Sequence, residues 1–356
     1  MSMKIHNFSA GPSILPTSVM QEAAQACLDF NNSGLSLLEM SHRSPAFEAV
    51  MDEARQLVRD LYALDDSYEV LFLTGGASTQ FAMVPMNILA ETATAAYANT
   101  GVWASGAIKA AKDFGNTNVV ASSEADNFSH LPKGYTVPSD SAYFHITTNN
   151  TIYGTQYHHT PDVQVPLIAD MSSDIFSRPF EANKYALIYA GAQKNMGAAG
   201  TTLVIVKKDL LGKTGRTIPA MFDYRTHAKA GSMYNTPPVF PIYVSMLTLR
   251  WIKAQGLATV GANNTRKAAL LYAAIDNSQI FSGTVAIEDR SLMNVNFVAA
   301  TPEIEQAFLA KAKATGMNGL AGHRSVGGFR ASIYNALPLE SVEFLVAQMQ
   351  DFERSL

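Results

Sequence analysis

The chain has 356 residues, 47% of them hydrophobic and 16% charged, with a formal net charge of −4, so it can form about two folded domains and does not resemble a disordered protein. It has no excess of basic residues to neutralise a phosphate backbone, which argues against nucleic acid as a partner. A single cysteine, no apolar signal-peptide stretch in residues 1–12 and no apolar run of membrane-spanning length lead us to expect a cytoplasmic protein without a membrane segment.

Helical and strand-like segments alternate over the first two thirds of the chain. Pro16 opens a predicted helix that runs to about residue 32, the clearest helix is predicted over residues 44–64, and a third over 77–89 is kinked or shortened by Pro85. Seven short apolar runs predict strands at residues 69–74, 95–98, 119–122, 142–147, 165–169, 185–190 and 202–206. This alternation predicts an α/β fold, a large domain with a mostly parallel seven-stranded sheet flanked by helices.

The pattern changes after the prolines at residues 237, 238 and 241. One long helix is predicted over residues 242–274, followed by further helices at 302–315 and 339–354 and by strands at 285–287, 295–298 and 328–334. These segments predict a smaller α+β domain at the C-terminus. We therefore predict a large domain over residues 16–258 and a small domain formed by residues 1–15 and 259–356, with the boundary between residues 255 and 267.

A lysine and an aspartate each follow a predicted strand. Lys194 lies just past the strand at 185–190 among glycines, and a partly desolvated lysine becomes an amine nucleophile for carbonyls. Asp170 ends the preceding strand, so one parallel crossover can bring both to the same sheet edge. Together they predict a pyridoxal-phosphate (PLP) site, in which the carboxylate pairs with the pyridine nitrogen and the lysine forms the imine. A solvated lysine and a turn or cap aspartate are the alternatives.

Three further features add weaker signals. The turn Gly75-Gly76 before a predicted helix could present backbone amides to a phosphate, although it is neither a Walker A motif nor a dinucleotide fingerprint. Trp103 could stack on a planar cofactor or pack in the core. The pairs at residues 42–43 and 323–324 are both His-Arg, and Arg330 follows the second; they suit a substrate with two anionic ends, or form surface ion pairs.

With these segments in place, the chain resembles the phosphoserine aminotransferase family, within the class V, fold-type I PLP enzymes that share the aspartate-aminotransferase-like fold. The resemblance covers essentially the whole chain. The motifs that carry it are residues 7–12, 41–45, 75–78, 190–195, 234–238, 322–328 and 330–335. Residues 190–195 (Ala-Gly-Ala-Gln-Lys-Asn) and 322–325 (Gly-His-Arg-Ser) are quite specific to this family, whereas the Gly-Gly turn is not.

The resemblance implies a role for each cofactor-binding residue. Lys194 carries PLP as an imine, Asp170 meets the pyridine nitrogen, Trp103 stacks on the ring and Thr151 lies near the ring oxygen. The residues implied to bind the cofactor phosphate are Ala77, Ser78 and Gln193 of the same chain and Asn235 and Thr236 of a second subunit. The active unit is then a homodimer with shared sites. Some members have a glycine- and arginine-bearing turn where this chain has residues 77–78, so amides and hydroxyls must contribute more of the phosphate contacts here.

The resemblance also implies the substrate contacts and the reaction. Arg330 holds the substrate α-carboxylate, and Ser9 and Arg43 contact the amino-acid substrate. The distal phosphate or carboxylate is implied to bind His42, Arg43, His323 and Arg324, the last two across the dimer interface. The implied reaction transfers the amino group of L-glutamate to 3-phosphohydroxypyruvate in serine biosynthesis, with a four-carbon phosphorylated oxo-acid of pyridoxine biosynthesis as a second candidate substrate. No metal is expected.

Four alternatives remain open at this point. Alanine– or serine–glyoxylate aminotransferases share the fold but need no distal anion clamp. A cysteine desulfurase needs a mobile catalytic cysteine, whereas Cys27 lies in an early predicted helix. A dehydrogenase would need the missing third glycine of the dinucleotide fingerprint. A non-catalytic protein on the same fold would not need Lys194 and Asp170.

Overall fold

The computed structural model describes residues 4–356; the first three residues of the predicted small domain lie outside the described residues. A seven-stranded sheet lies at the centre of the larger part of the molecule. After a short N-terminal strand β1 (His6–Asn7), its strands are β2 (Tyr68–Leu73), β3 (Thr94–Asn99), β4 (Asn116–Ser122), β5 (Phe144–Thr147), β6 (Leu167–Asp170), β7 (Leu187–Gly191) and β8 (Thr202–Lys207). Their order across the sheet is β2-β8-β7-β6-β5-β3-β4, and β8 is antiparallel to both of its neighbours while the other pairs are parallel. The predicted mostly parallel seven-stranded sheet is confirmed.

Helices cover both faces of this sheet. They are α1 (Thr17–Leu28), α2 (Pro45–Tyr62), α3 (Gly76–Ile88), α4 (Val102–Ala111), the short α5 (Tyr224–Lys229) and α6 (Val239–Gln255). Side chains of β2 alternate between the faces: Val70 and Phe72 join the core beneath α1, α2 and α6, whereas Leu71 and Leu73 join the core beneath α3 and α4. Because both of their faces are buried, strands such as β2, β7 and β8 are largely apolar, which explains their continuous apolar runs in the sequence. The edge strand β4 differs, since most of its residues are exposed or half-buried.

The start of α2 shows how the sequence sets a helix boundary. Ser44 has extended backbone, and its Oγ accepts a hydrogen bond from Phe47 N at 3.4 Å. Pro45 occupies the first helical position, where a missing N–H costs nothing. The buried face then recurs every three or four residues from Phe47 to Tyr62 and packs against α6.

A second core lies at the C-terminal end of the chain. Its elements are α7 (Leu257–Asp276), β9 (Phe281–Gly283), β10 (Asn294–Ala299), α8 (Pro302–Ala314), β11 (Met317–Asn318), β12 (Phe329–Ser332) and α9 (Leu339–Arg354). Strands β12, β10 and β9 form an antiparallel sheet, and β11 pairs in parallel with β1. Phe8 is buried in this core together with Phe297, Phe308 and Phe329, so the N-terminal segment packs with the C-terminal part.

Two predicted elements of the C-terminal part are wrong. The single helix over residues 242–274 is two helices, because Gly256 between α6 and α7 has φ +79° and breaks the helical path. The strand over residues 285–287 is also wrong: the strand is β9, and Ile287–Asp289 forms a 3₁₀ turn. The apolar residues at 285 and 286 lie in the loop between β9 and this turn.

Helix α7 passes from one core to the other. Val260, in its first turn, packs in the larger core, whereas Ala268 and Leu271 pack in the second one. The division of the chain at residue 258 therefore stays a prediction. Over residues 4–356, no helix is long and apolar enough to cross a membrane, and no group of three metal-ligating side chains occurs.

Candidate active site

A cavity of about 310 Å³ lies between the central sheet and the second core. It opens where β5, β6 and β7 reach their carboxyl ends, the edge at which ligands of open α/β sheets bind. The structure brings many of the predicted site residues together in its lining. They are Ala77, Ser78, Trp103, Thr151, Asp170, Gln193, Lys194, His323 and Arg330.

Lys194 follows β7 and directs its amine into the cavity. Its Nζ donates a hydrogen bond to Thr151 Oγ1 at 3.0 Å. Burial lowers the pKa of Lys194 to about 8; the charge of Asp170 opposes this shift and that of Arg330 reinforces it. A lysine with this pKa is partly neutral near physiological pH, as an amine nucleophile or proton acceptor requires.

Asp170 is the last residue of β6 and is buried. Its Oδ1 accepts a hydrogen bond from the backbone N–H of Ser172 at 2.9 Å. Burial raises the pKa of Asp170, while its contacts with Ser172 and the charge of Lys194 act in the opposite direction. A carboxylate at the desolvated base of a cavity favours a cationic partner, and a protonated ring nitrogen meets that need.

The N-terminus of α3 forms an anion-binding edge of the cavity. Gly75 has φ +92° and Gly76 has φ +65°, and a Cβ at Gly75 would lie 2.0 Å from Thr79 Oγ1, so the turn needs glycine there. The first intrahelical hydrogen bond is from Thr79 N to Gly75 O, at 3.3 Å, and no side chain caps the helix. The preceding amides, including those of Ala77 and Ser78, together with the helix dipole, suit a phosphate.

Trp103 lies in the first turn of α4 and borders the cavity. The centroid of its ring is 5.8 Å from Lys194 Nζ. Its Nε1 is buried and has no hydrogen-bond partner within the described residues 4–356. The half-buried ring is therefore placed to cover a flat ligand attached at Lys194.

The N-terminal segment forms one wall of the cavity, through Ala10 and Gly11. Ser13 N donates to Gln193 O at 2.9 Å, and Ser13 Oγ donates to the carbonyl of Lys194. A Cβ at Gly11 would come within 3.4 Å of Lys194 Cγ. Sequence reasoning gave residues 7–12 a part in the family resemblance but assigned no role to Ala10, Gly11 or Ser13. No local pattern shows that this segment packs on Lys194.

Polar residues after β5 and β6 were also missed. Thr147 ends β5, and Asn149, Ser172 and Ser173 also line the cavity. Asn149 Nδ2 donates to Ser173 Oγ at 2.7 Å and so joins the two loops. The sequence did offer one signal, their position: each lies at or just after the end of a strand, at the sheet edge where Asp170 was already expected.

Several predicted site residues do not line this cavity. Those outside the cavity lining are Ser9, His42, Arg43, Asn235, Thr236 and Arg324. Ser9 Oγ accepts from Asn318 Nδ2 at 3.3 Å, and the exposed Arg43 donates from Nε to His42 Nε2 at 3.3 Å. Of the two His-Arg pairs only His323 lines the cavity, so their joint role stays a prediction.

His323 does reach the cavity. Its Nδ1 lies 2.7 Å from Ser325 Oγ, and burial together with the charges of Arg330 and Arg324 lowers the pKa of His323. Burial also lowers the pKa of Arg330. This corner of the cavity is electropositive and suits a carboxylate or phosphate ligand.

Comparison with known proteins agrees with this geometry. Residues 5–345 match the family model described as aminotransferase class-V. The chain is 58% identical to a phosphoserine aminotransferase of Flavobacterium psychrophilum over 356 residues, covering 99% of this chain and 100% of that one. It is 57% identical to a phosphoserine aminotransferase of Bacteroides fragilis, covering 99% of both chains.

Solved structures give the same result. The phosphoserine aminotransferase of Bacillus circulans subsp. alkalophilus superposes with a TM-score of 0.96 at 49% identity and 99% coverage of both chains. The PLP-bound phosphoserine aminotransferase of Trichomonas vaginalis has a TM-score of 0.92 at 36% identity, covering 98% of this chain and 100% of that one. An alanine–glyoxylate aminotransferase of Nostoc, at 17% identity, shares the fold. The chain is thus a PLP-dependent transaminase and belongs to the class-V aminotransferase family, within the group of phosphoserine aminotransferases.

Proposed function

We propose that this chain transfers the amino group of L-glutamate reversibly to 3-phosphohydroxypyruvate, giving O-phospho-L-serine and 2-oxoglutarate, in serine biosynthesis. The observation that supports this most is the cavity that holds Lys194, Asp170 and Arg330 together. The names of the most similar relatives point to the same reaction. We also propose a cytoplasmic location, and the four-carbon phosphorylated oxo-acid of pyridoxine biosynthesis as a second substrate.

The residues of the cavity fit PLP. When bound, PLP supplies an electron-withdrawing ring and an aldehyde carbon that condenses with amines. Asp170 would hold a proton at the ring nitrogen, and Trp103 would cover one face of the ring. Thr151 would lie near the ring oxygen, since its Oγ1 already accepts from Lys194 Nζ. The groups proposed for the phosphate are the amides and hydroxyl of Ala77 and Ser78, with Gln193.

Lys194 is the proposed proton carrier of the reaction. Once substrate has displaced Lys194 from the cofactor, the free Nζ would accept the proton from the substrate α-carbon and pass it to the aldehyde carbon of the cofactor; the second half-reaction would move the proton in the opposite direction. A pKa of about 8 suits both tasks, because the neutral and charged forms both exist near neutral pH. Thr151 orients the amine toward the cavity through their hydrogen bond.

Arg330 is the proposed partner of the substrate α-carboxylate. Its guanidinium borders the same cavity as Lys194, and arginine grips a carboxylate with two parallel hydrogen bonds. Ser9 and Arg43 are proposed to contact the amino-acid substrate. The residues proposed for the distal phosphate or carboxylate are His42, Arg43, His323 and Arg324.

We further propose a homodimer with shared active sites. Asn235 and Thr236 lie outside the cavity of their own chain, so they would reach the cofactor phosphate of a second chain. Three leucines, Leu28, Leu35 and Leu38, are exposed near the N-terminal helix, and an apolar surface of this kind suits burial against another copy.

An assay of the holoenzyme with L-glutamate and three separate acceptors tests the function. We expect the highest kcat/KM with 3-phosphohydroxypyruvate, a lower value with the four-carbon phosphorylated oxo-acid, and the lowest with glyoxylate, which has no distal anion. A preference for glyoxylate would refute the proposal. Lys194→Ala should lose both the visible absorbance of the lysine-bound cofactor and turnover, and a variant that keeps both would remove Lys194 from its role.

A further inference from the structure

The paired strands β10 and β12 of the small sheet have one apolar and one polar face. The apolar side chains, Val295, Phe297, Phe329 and Ala331, point into the second core. Because side chains alternate along a strand, the intervening residues point the other way. They are Asn294, Asn296, Arg330 and Ser332. This face meets the loop after β5, where Asn294 bonds Asn149 and Asn296 bonds the carbonyl of Ile152. Arg330 therefore reaches the cavity from a row of polar side chains.

Asn296 is the direct cross-strand neighbour of Arg330. Opposite side chains of an antiparallel pair lie on one face within reach of each other. The next pair along shows this contact, because Asn294 Nδ2 donates to Ser332 Oγ at 2.9 Å. Asn296 is thus placed to touch the guanidinium of Arg330.

The two side chains have complementary groups without partners. Within residues 4–356, neither the buried Asn296 Oδ1 nor the buried Arg330 Nε has a hydrogen bond. The first can only accept and the second can only donate. The orientation of the amide is set at its other end, because Asn296 Nδ2 donates to the carbonyl oxygen of Ile152. A hydrogen bond between the two groups would satisfy both buried atoms.

We propose that Asn296 is a positioning residue for Arg330. Its Oδ1 accepts the Nε–H and leaves the terminal nitrogens of the guanidinium free to bind the substrate α-carboxylate. The same amide holds Ile152, whose neighbour Thr151 binds Lys194 Nζ. Asn296 thereby sets the distance between the carboxylate site and the amine that acts on the α-carbon. This inference rests on the proposed role of Arg330.

Two ligands that differ only in the carboxylate test the proposal. O-phospho-L-serine has the α-carboxylate, whereas phosphoethanolamine has the same amine and phosphate without it. In the holoenzyme, Asn296→Leu should raise the KM for phosphoserine about tenfold and change kcat much less. A tenfold weaker affinity corresponds to the loss of about one good hydrogen bond. The inhibition constant of phosphoethanolamine should stay unchanged. Equal weakening of both ligands would show a merely structural role and overturn the proposal.

Asn87→Leu is the matched control. Asn87 is also buried, and its Nδ2 donates to Met83 O and Phe222 O, away from the cavity, so its loss should leave the KM for phosphoserine unchanged. A double-mutant cycle adds a second test: in an Arg330→Ala background, Asn296→Leu should have no further effect on phosphoserine. An undiminished effect in that background would also overturn the proposal.

A crystal structure of the wild-type holoenzyme with phosphoserine covers the case in which Asn296→Leu does not fold. We expect Arg330 Nε within about 3.2 Å of Asn296 Oδ1. A different partner for Nε would refute the inference. A wild-type enzyme that binds neither phosphoserine nor glutamate would instead refute the proposed function. In that case the distance from Arg330 Nε to Asn296 Oδ1 in a crystal without substrate would show whether the hydrogen bond between them exists.

Discussion

Replacing Lys267 with methionine removes a buried ammonium group and keeps a side chain of similar length. In the structure Lys267 Nζ donates to the carbonyl oxygens of Ile333, Tyr334 and Leu337 at 2.9, 2.7 and 3.1 Å. Burial lowers the pKa of Lys267 to about 7. The three carbonyl oxygens act in the opposite direction, because together they can accept all three N–H bonds of the ammonium form and so favour it. The group fastens the segment that follows β12 to helix α7.

The expected loss follows from these contacts. The carbonyl of Tyr334 keeps a second hydrogen bond, from Leu337 N at 2.9 Å. The cost therefore falls on the other two carbonyls, those of Ile333 and Leu337, which lose their hydrogen bond from Lys267. An unsatisfied buried acceptor costs about 1–3 kcal/mol. Burial of the methionine side chain offsets about 1.5–3 kcal/mol of that cost. Two such acceptors cost about 2–6 kcal/mol, so after this offset we expect Lys267→Met to lower the free energy of unfolding by about 2 kcal/mol.

Urea unfolding of the holoenzyme, followed by circular dichroism, measures this loss. Lys253→Met is the matched control, because Lys253 is exposed and pairs with Asp60 at 2.5 Å, a surface contact worth about 1 kcal/mol or less. The unfolding midpoint should fall clearly for Lys267→Met and barely for Lys253→Met. Equal midpoints for the two variants would refute the reasoning about the buried ammonium.

Three other predictions concern the cavity. In the cofactor-free protein the folded-state pKa of Lys194 is about 8, below its ordinary value of 10.5, so the unfolded state binds more protons between these two pH values. The free energy of unfolding should therefore rise with pH across that window. A Lys194→Met variant with the same pH slope in urea titrations would contradict this prediction. Arg330→Ala should raise the KM for glutamate and for phosphoserine at least about tenfold, and an unchanged KM for both would remove Arg330 from the carboxylate site. Gly75→Ala should weaken PLP binding and lower the melting temperature, because the added Cβ would lie 2.0 Å from Thr79 Oγ1. Gly34→Ala is the control for backbone strain alone, since Gly34 has φ +75° and nothing within 4 Å of an added Cβ. Equal decreases in melting temperature for the two variants would exclude the steric clash with Thr79 as the cause.

The parts of the fold and site that could be predicted depend on short-range patterns. The inner strands β6 and β7 of the large sheet are apolar runs because both of their faces are buried; Asp170 ends the first and Lys194 follows the second. Once the strands are parallel neighbours, these two side chains must lie at one edge. For the same reason Ala77 and Ser78, after β2, were found at the same cavity.

The parts that could not be predicted depend on distant segments. Nothing in residues 8–13 shows that Ser13 bonds the backbone of Gln193 and Lys194, because that contact exists only after the chain has folded. The break at Gly256 was missed because an apolar pattern continues through it and one glycine is tolerated in many helices. The two His-Arg pairs are 281 positions apart in the sequence, so sequence alone could not show whether they meet.

The pairing of β1 with β11 sets the order in which the chain can fold during synthesis. All seven strands of the central sheet end by Lys207, whereas His6 must wait for Met317. The larger core also includes α6 and Val260, so the remaining delay is the synthesis of residues 261–317, roughly 3–11 seconds at about 5–20 residues per second, during which this core can close before the N-terminal strand finds its partner. The wall formed by Ala10 and Gly11 then settles last, so a newly made chain has a finished sheet before it has a site able to enclose a ligand.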